Sequence, residues 1–495
     1  MSRHQVVYTT LGLIFLLGLF FRTYRQSQLL GFYYDQGRDA LMAQDIISGT
    51  NFPAIGPTTG IQGLYLGPFW YYLVTPGYLL GQGSPIAAAY FISLIESLSI
   101  ILVFIYLSSF SSTLTALTGS LLWSFGYYLI RSSRWFSNPS PLPTFVVLIM
   151  LLLVKYQRTP RPKYLLWLGL LLGLALQLEA ASAVFFIPVI TLFLFRYFGL
   201  AGSIRSLLQV FGIVALTHLP LVAFEIKNRF LITTNFLGFL TGKTNTTTGS
   251  SWSLPSFQFA ATRLRDYFEF LFSKVDTNTT YVSLIFLVLF FLFHLFLILR
   301  RPKLHPHLYL LLLWLWIPLF ILLFFSGNYG RLYDYYLTGF FPAFIMLVAL
   351  SWSVIGRLRL PLSLILLVLF LWTNLPFTLN YLHANPDGPQ HVSFGNQTAQ
   401  LIRICQIAPS DRDSTIDFYV PPITPHTYQY LLGWYQSRSI CPSGLTISQQ
   451  DPQFILAEVD TANPQNWLKW ASDRQLQTNY QSIASYGGVT IYKRL

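Results

Sequence analysis

Alternate connections between the apolar stretches of this chain hold Lys and Arg and no acid at all. They carry Arg3; Lys155, Arg158, Arg161 and Lys163; Arg196 and Arg205; Arg300, Arg301 and Lys303; and Arg357 and Arg359. All 18 Asp and Glu of the 495 residues fall elsewhere. Basic residues beside membrane segments favour the cytoplasmic side. The sorting therefore predicts an α-helical polytopic membrane protein of about eleven transmembrane helices, with the N-terminus cytoplasmic and the carboxylates on the opposite face. With 53% hydrophobic and 10% charged residues, the chain lies outside the soluble globular range.

The formal net charge of +13 invites a nucleic-acid reading, but nearly all the excess sits in those short connections. There it sets orientation and meets anionic head groups, and no basic patch remains for nucleic acid. The first apolar run, 6–21, lacks a small-residue cleavage pattern and runs into Arg22-Thr-Tyr-Arg25, so it is read as a retained span.

Spans are expected near 6–21, 84–107, 113–130, 142–155, 164–179, 182–197, 206–223, 281–299, 308–325, 338–353 and 360–376. Within 164–197 only Glu179 separates the two halves and is expected at the outer turn between the spans, and Pro188 offers a kink or break. The odd number places the C-terminus outside a multi-pass cell-membrane protein. Residues 1–379 form the membrane module, with large extracytoplasmic loops at 22–84 and 225–280. The first loop holds a helix candidate at 36–48 and an aromatic patch, Leu64-Tyr-Leu-Gly-Pro-Phe-Trp-Tyr-Tyr, expected against the membrane surface. The second is rich in Thr, Asn, Ser and Gly at 241–253, which reads as a flap.

From about residue 380 the pattern changes. Alternation at 415–420 and 489–494, with helix candidates at 398–407, 427–436 and 464–474, predicts a small extracytoplasmic α/β domain over 380–495. Cys405 and Cys441 both fall there. An oxidising compartment makes a disulfide the reading, with two unpaired buried cysteines as the alternative. No internal repeat is visible, so an inverted-repeat transporter lacks its usual pointer.

The sharpest local feature is Tyr34-Asp35-Gln-Gly-Arg38-Asp39. On a helix, Asp35 and Asp39 share a face with Arg38 beside them. Such a pair can bind a divalent metal or take a proton from an acceptor. Equally, Asp35 is a good N-cap for a helix starting at Gln36. Arg38, Arg131 and Arg134 are cations with a fork suited to phosphate, although Arg131 and Arg134 can also snorkel at a span end. Glu179 and Glu96 interrupt apolar runs, where a carboxylate is a functional candidate. Glu96 has a structural alternative, pairing with a polar group on a neighbouring helix. Glu225 with Lys227, and Arg331 with Asp334 and Tyr335, face the same compartment as the first loop; both sets also read as ordinary polar surface. No Walker loop, dinucleotide-binding glycine pattern or zinc spacing is present, and His294, His305 and His307 do not cluster with Cys. A cytoplasmic nucleotide-sugar donor is thereby disfavoured.

An Asp opening a short helix after the first span, a Gly/Pro-rich loop and Gly-Pro-Phe-Trp-Tyr-Tyr together resemble the GT-C superfamily. The nearest branch is that of protein O-mannosyltransferases and lipid A aminoarabinose transferases. Arg134-Trp-Phe-Ser-Asn138-Pro, Pro220-Leu-Val-Ala-Phe-Glu225-Ile-Lys and Asp334-Tyr-Tyr ahead of Pro342 are similar to bacterial members. The resemblance implies a membrane glycosyltransferase that takes a sugar from a polyprenyl-phosphate donor to an extracytoplasmic lipid, glycan or protein acceptor. It implies Asp35 as the essential first-loop carboxylate, acting as acceptor base or as organiser of the reacting groups, and Asp39 and Glu179 join it as catalytic candidates from their own positions. Arg38, Arg134, Asn138, Glu225, Arg331, Asp334 and Tyr335 are the expected substrate contacts. Two positions depart from the pattern: Gln36 replaces a second acid, and Gly67-Pro68 stands where the aminoarabinose branch has Lys-Pro. No cofactor is certain, and a divalent metal ion stays open. The alternative is a transporter or flippase of polyprenyl-linked glycans, which needs the same cations but no base.

Overall fold

The computed structural model of the chain describes residues 2–61, 63–241, 255–275, 305–325, 332–354, 359–385, 392–409, 413–421 and 424–495. The expected span at 281–299 with His294, the basic residues at 300–303, Arg331, Arg357 and the flap beyond Thr241 lie outside them.

Among the described residues five helices are long and apolar enough to cross a membrane: Arg3–Leu29, Pro85–Ser108, Ala180–Thr217, Pro306–Leu323 and Leu364–Leu382. Pro162–Leu178 and Phe341–Trp352 are shorter and apolar. The helices depart from the expected spans where the backbone has a local reason. The run expected at 113–130 is two helices, Thr113–Phe125 and Tyr127–Ser133, hinged at Gly126. The two runs expected at 182–197 and 206–223 join as Phe186–Thr217, kinked at Gly199. Its φ of 63° is one that glycine adopts without a Cβ penalty. The break in 164–197 falls at Glu179, between the two expected spans, and the other place offered, Pro188, lies inside the following helix. Pro188 is the third residue of its helix, where an amide N–H has no intrahelical partner to lose.

The first loop folds around the helix Tyr34–Ser48. Gln36 Oε1 accepts from the Tyr33 N–H at 3.1 Å, and Gly49, at φ 73°, closes the far end through N–H bonds to Asp45 and Ile46 carbonyls. Ala40 and Ala43 are fully buried against the next helix, Phe69–Leu80. Part of the aromatic patch begins that helix, where Trp70 and Tyr71 are core at 0% and 3% exposed and Tyr72 is 37% exposed. Its apolar faces are taken up by Tyr34–Ser48 and Pro85–Ser108.

The C-terminal region forms a five-stranded sheet, β1 (Ser414–Tyr419), β2 (Leu445–Ile447), β3 (Phe454–Glu458), β4 (Tyr480–Tyr486) and β5 (Val489–Arg494), in the order β2-β1-β3-β5-β4. β2, β1 and β3 run parallel, and β5 and β4 are antiparallel. The parallel pair β1–β2 needs a crossover, which the helix His426–Ser437 supplies. Cys405, on the helix Phe394–Ile407, is bonded to Cys441 across 36 residues.

This sheet domain shares one hydrophobic core with the first loop, from Leu30, Phe32 and Trp70 to Leu401, Phe418 and Tyr428. The seam is also hydrogen-bonded: Phe394 N–H to Leu30 O at 2.9 Å, Trp434 Nε1 to Gln82 O at 3.1 Å, and Tyr430 OH to Gly83 O. At the centre of that core, Glu458 Oε1 accepts from Gln397 Nε2 at 2.8 Å and Tyr428 OH at 2.9 Å. Burial raises the Glu458 carboxyl from 4.5 to about 7 against those two bonds. An acid whose folded pKa is raised binds more protons folded than unfolded, so stability falls as pH rises from about 4.5 through 7. The melting temperature should therefore decline across that window. Glu458→Gln, which keeps an acceptor oxygen, should flatten the decline in a pH series of thermal melts.

Candidate functional site

The sharpest polar group lies on the outer turns of Tyr34–Ser48. Arg38 is the hub. Its Nε and Nη2 reach Asp39 Oδ1 at 3.0 and 2.7 Å, and its Nη1 reaches Asp35 Oδ1 at 2.9 Å. Asp39 is 1% exposed, and its Oδ2 accepts from Trp70 Nε1 at 2.6 Å. Asp35 is half-exposed. Asp35 makes no cap: the helix starts one residue before it, and the Gln36 side chain holds the preceding amide. Burial drives the Asp39 carboxyl up from 3.8 to about 6, although Arg38 and the Trp70 indole pull it down. Burial opposes charge on Arg38, yet Asp39 and Asp35 outweigh it and raise its pKa. The guanidinium is thus spent on two carboxylates, and the cluster as a whole is anionic. It does not offer a phosphate a free cation.

The free positive charge is next door. A cavity of about 760 Å³ is lined by Arg22, Arg131, Arg134 and Lys274, with Glu96 and Asp334 as the facing carboxylates. Gly31 and Tyr33 form part of its wall, so the helix bearing Asp35 begins at the cavity edge. Ser393, Val459 and Thr461 close it from the C-terminal domain.

The four cations divide into two kinds. Arg22 donates to Gly18, Ser124 and Trp123 carbonyls at 3.0, 3.1 and 2.9 Å. Arg134 donates to Phe21, Arg22 and Tyr24 carbonyls at 3.1, 3.3 and 2.5 Å. Both satisfy helix ends, where cations complement the dipole, and so contribute field more than donors. Arg131 is exposed. Lys274 is 2% exposed, sits 5.4 Å from the Tyr128 ring and 4.6 Å from the Phe341 ring, and meets Asp334 Oδ2 at 2.9 Å. Burial lowers the Lys274 pKa and Asp334 opposes the fall. Two buried polar atoms of lining residues, Arg134 Nε and Ser393 Oγ, make no hydrogen bond. Such orphans are costly unless a ligand satisfies them.

The other expected contacts are scattered around this pair of features. Asp334 and Tyr335 line the cavity. Glu179 ends Pro162–Leu178, its Oε1 accepting the Ala181 N–H at 3.2 Å. Burial raises its carboxyl to about 7, with that N–H opposing, and its charge reaches the Tyr335 and Tyr336 phenols. Asn138 Nδ2 ties its loop to the Leu178 carbonyl at 2.6 Å, next to Glu179. Glu225 sits apart from both. Its oxygens take the Ile232 N–H at 2.7 Å, the Thr233 N–H at 2.9 Å and the Thr233 hydroxyl at 2.5 Å, opening the helix Leu231–Thr241. Burial disfavours that charge, but these bonds outweigh it and hold the carboxyl below its usual range. Glu96, read as either functional or structural, opens onto the cavity within electrostatic range of Arg22. Lys274 was not visible as a candidate. Its partners come from 128, 334 and 341, far away in sequence.

A divalent ion does not fit the Asp35–Asp39 pair, because the Arg38 guanidinium already occupies the space between the carboxylates. Among the described residues no group of three or more His, Cys, Asp or Glu gathers as a metal site.

Gly37 sets how the domains meet over this site. A Cβ there would run into the backbone of His426 and Thr427. Gly37→Leu is expected to force the C-terminal domain off the first loop at about 1–3 kcal/mol, read as a lower melting temperature.

Solved structures share this architecture at low identity. ArnT from Cupriavidus metallidurans bound to undecaprenyl phosphate aligns over 100% of this chain and 99% of its own, with a TM-score of 0.62 and 12% identity. The same protein in the apo state gives 0.63. The archaeal oligosaccharyltransferase AglB from Archaeoglobus fulgidus, in complex with an inhibitory peptide and a dolichol-phosphate, aligns over 99% of this chain and 74% of its own. Its TM-score is 0.54 at 12% identity. No family model and no curated protein sequence matches the chain. Over nearly its whole length, then, the chain shares the overall fold of those solved structures.

Proposed function

We propose that this chain is a multi-pass membrane glycosyltransferase. It moves a sugar from a polyprenyl-phosphate donor to a lipid, glycan or protein acceptor on the extracytoplasmic side. The observation that carries this reading is the cavity in which four cations outnumber two carboxylates beside the helix of Asp35. The neighbour solved with undecaprenyl phosphate supports the same chemistry.

In this mechanism Arg131 and Lys274 hydrogen-bond the donor phosphate, while Arg22 and Arg134 add positive potential behind it. The sugar extends past Tyr33 toward Asp35. Asp35 takes the proton from the acceptor hydroxyl or amine. The acceptor atom bonds the anomeric carbon, the bond from that carbon to the phosphate oxygen breaks, and the electron pair leaves on the polyprenyl phosphate. Arg38 and Asp39 position Asp35 rather than touch the donor. Because a lipid phosphate is a competent leaving group, positioning and charge stabilisation supply most of the rate. Tyr335, which lines the cavity, and Glu179, within electrostatic range of it, are the proposed sugar contacts. Purified protein given polyprenyl-phosphate sugars and envelope extract should release free polyprenyl phosphate and a glycosylated product by mass spectrometry. Donor that crosses the membrane with its sugar intact would favour the flippase.

A further inference from the structure

We propose that Trp70 is a positioning residue of this site: its indole N–H fixes Asp39, Asp39 fixes Arg38, and Arg38 presents Asp35 to the acceptor. The inference rests on the reading of Asp35 as the acceptor base. The chain of contacts runs one way, from core to surface. Trp70 is 0% exposed and Asp39 1%, Arg38 is 17% exposed along its side chain, and Asp35 is 50%. Each group spends one end on the group behind and the other on the group ahead: Trp70 Nε1 to Asp39 Oδ2, Asp39 Oδ1 to Arg38 Nε and Nη2, Arg38 Nη1 to Asp35 Oδ1. The residues come from two helices whose shared packing is largely apolar; the Trp70 indole on Asp39 and the Tyr71 phenol on Arg38 are polar links between them, and the indole is the pin that holds the buried carboxylate.

The pin has a chemical consequence. Asp39 must be ionised to hold the guanidinium in balance between two carboxylates. If Asp39 is neutral, the Arg38 charge falls on Asp35 alone and weakens it as a base. The indole donor stabilises ionised Asp39 in a buried setting that otherwise favours the protonated acid. The other titratable groups around it are Asp35 and Arg38 on its own helix and Tyr71 and Tyr78 on Phe69–Leu80. On His426–Ser437, Tyr430 packs on Tyr78, and His426 lies against Tyr34. Tyr71 and Tyr78 have raised pKa values through burial first, and so stay neutral with Tyr430 wherever Asp39 titrates.

Trp70→Phe keeps the ring and removes the donor. The readout is release of undecaprenyl phosphate from an undecaprenyl-phosphate hexose or pentose that the wild type turns over, measured from about pH 5 to 8. The expected result is a kcat lowered about tenfold or more with the donor KM within twofold, and an acid limb of the kcat profile displaced to higher pH. Asp39→Asn should be slow with no acid limb, and the double variant should be no slower than Asp39→Asn alone, because both act on one chain. A Trp70→Phe protein with wild-type kcat and profile overturns the proposal, as does one whose kcat and KM worsen together with the profile unmoved. If Trp70→Phe does not fold, Asp39→Asn decides: a wild-type acid limb in that variant is equally fatal. Asp35→Asn separates the two levels of inference. If it is inactive while Trp70→Phe is normal, only the Trp70 role falls; if it is fully active, the reading of the site falls with it.

Discussion

Asp35→Asn is expected to lower transfer by about 10²–10⁴-fold, the range a positioned general base supplies, without unfolding the protein. Asp35 is half-exposed and its one ion pair, with Arg38, is near the surface, so its loss costs little stability. Asn keeps an oxygen for Arg38 Nη1 and cannot accept the acceptor proton. The donor KM should hardly move, because the phosphate is held across the cavity by Arg131 and Lys274. A variant that transfers sugar at the wild-type rate removes the base from the mechanism. Rescue of rate at higher pH would argue that solvent takes the proton instead.

The second large effect is expected at Lys274. It is the buried cation whose ammonium already pairs inside the cavity with Asp334. Lys274→Met preserves the packing between the Tyr128 and Phe341 rings, and losing one partner of an ion pair is costly only where the remaining charge stays buried. Asp334 is half-exposed and solvates when left alone. The donor, by contrast, loses a charge-assisted hydrogen bond of about 1.5–3 kcal/mol, close to a ten- to hundredfold weaker donor. Titration of undecaprenyl phosphate onto the purified variant checks this. Unchanged affinity would place the phosphate elsewhere.

How far these residues could be read from the sequence follows from how local their signals are. Charge sorting reports orientation in stretches of a few residues, and alternation over six residues is a local pattern. The helix at Tyr34–Ser48 and the strand Val489–Arg494 were therefore legible. Cys405 and Cys441 were legible as a pair by being the only two cysteines. The break at Glu179 was legible as the one charge between two apolar runs, although Pro188 offered a second place for it. Yet a proline in the first turn of a helix does no damage, whereas Glu179, whose Oε1 accepts the Ala181 N–H, caps the short helix that follows the break. Trp70 read as an interface residue because Trp beside a span usually is. The carboxylate it pins stands 31 positions earlier, and only the packing of two helices brings them together. Lys274 gave no signal for the same reason. Arg134 was legible as a cation but not as a cation committed to the carbonyls of Phe21, Arg22 and Tyr24, which belong to a helix end more than a hundred residues away.

The C-terminal domain borders the proposed site. Its Ser393 and Val459–Thr461 wall the cavity, and its His426–Thr427 backbone rests on Gly37, two residues from Asp35. Transfer should therefore depend on a seam that the membrane helices alone do not provide.

The most direct test of the account is a structure of the purified chain with undecaprenyl phosphate bound. The account predicts the phosphate within hydrogen-bond distance of Lys274 Nζ and the Arg131 guanidinium, at the edge where Tyr33 begins the Asp35 helix. A phosphate seated instead among Lys155, Arg158 and Arg161, at the other ends of the membrane helices, would contradict it.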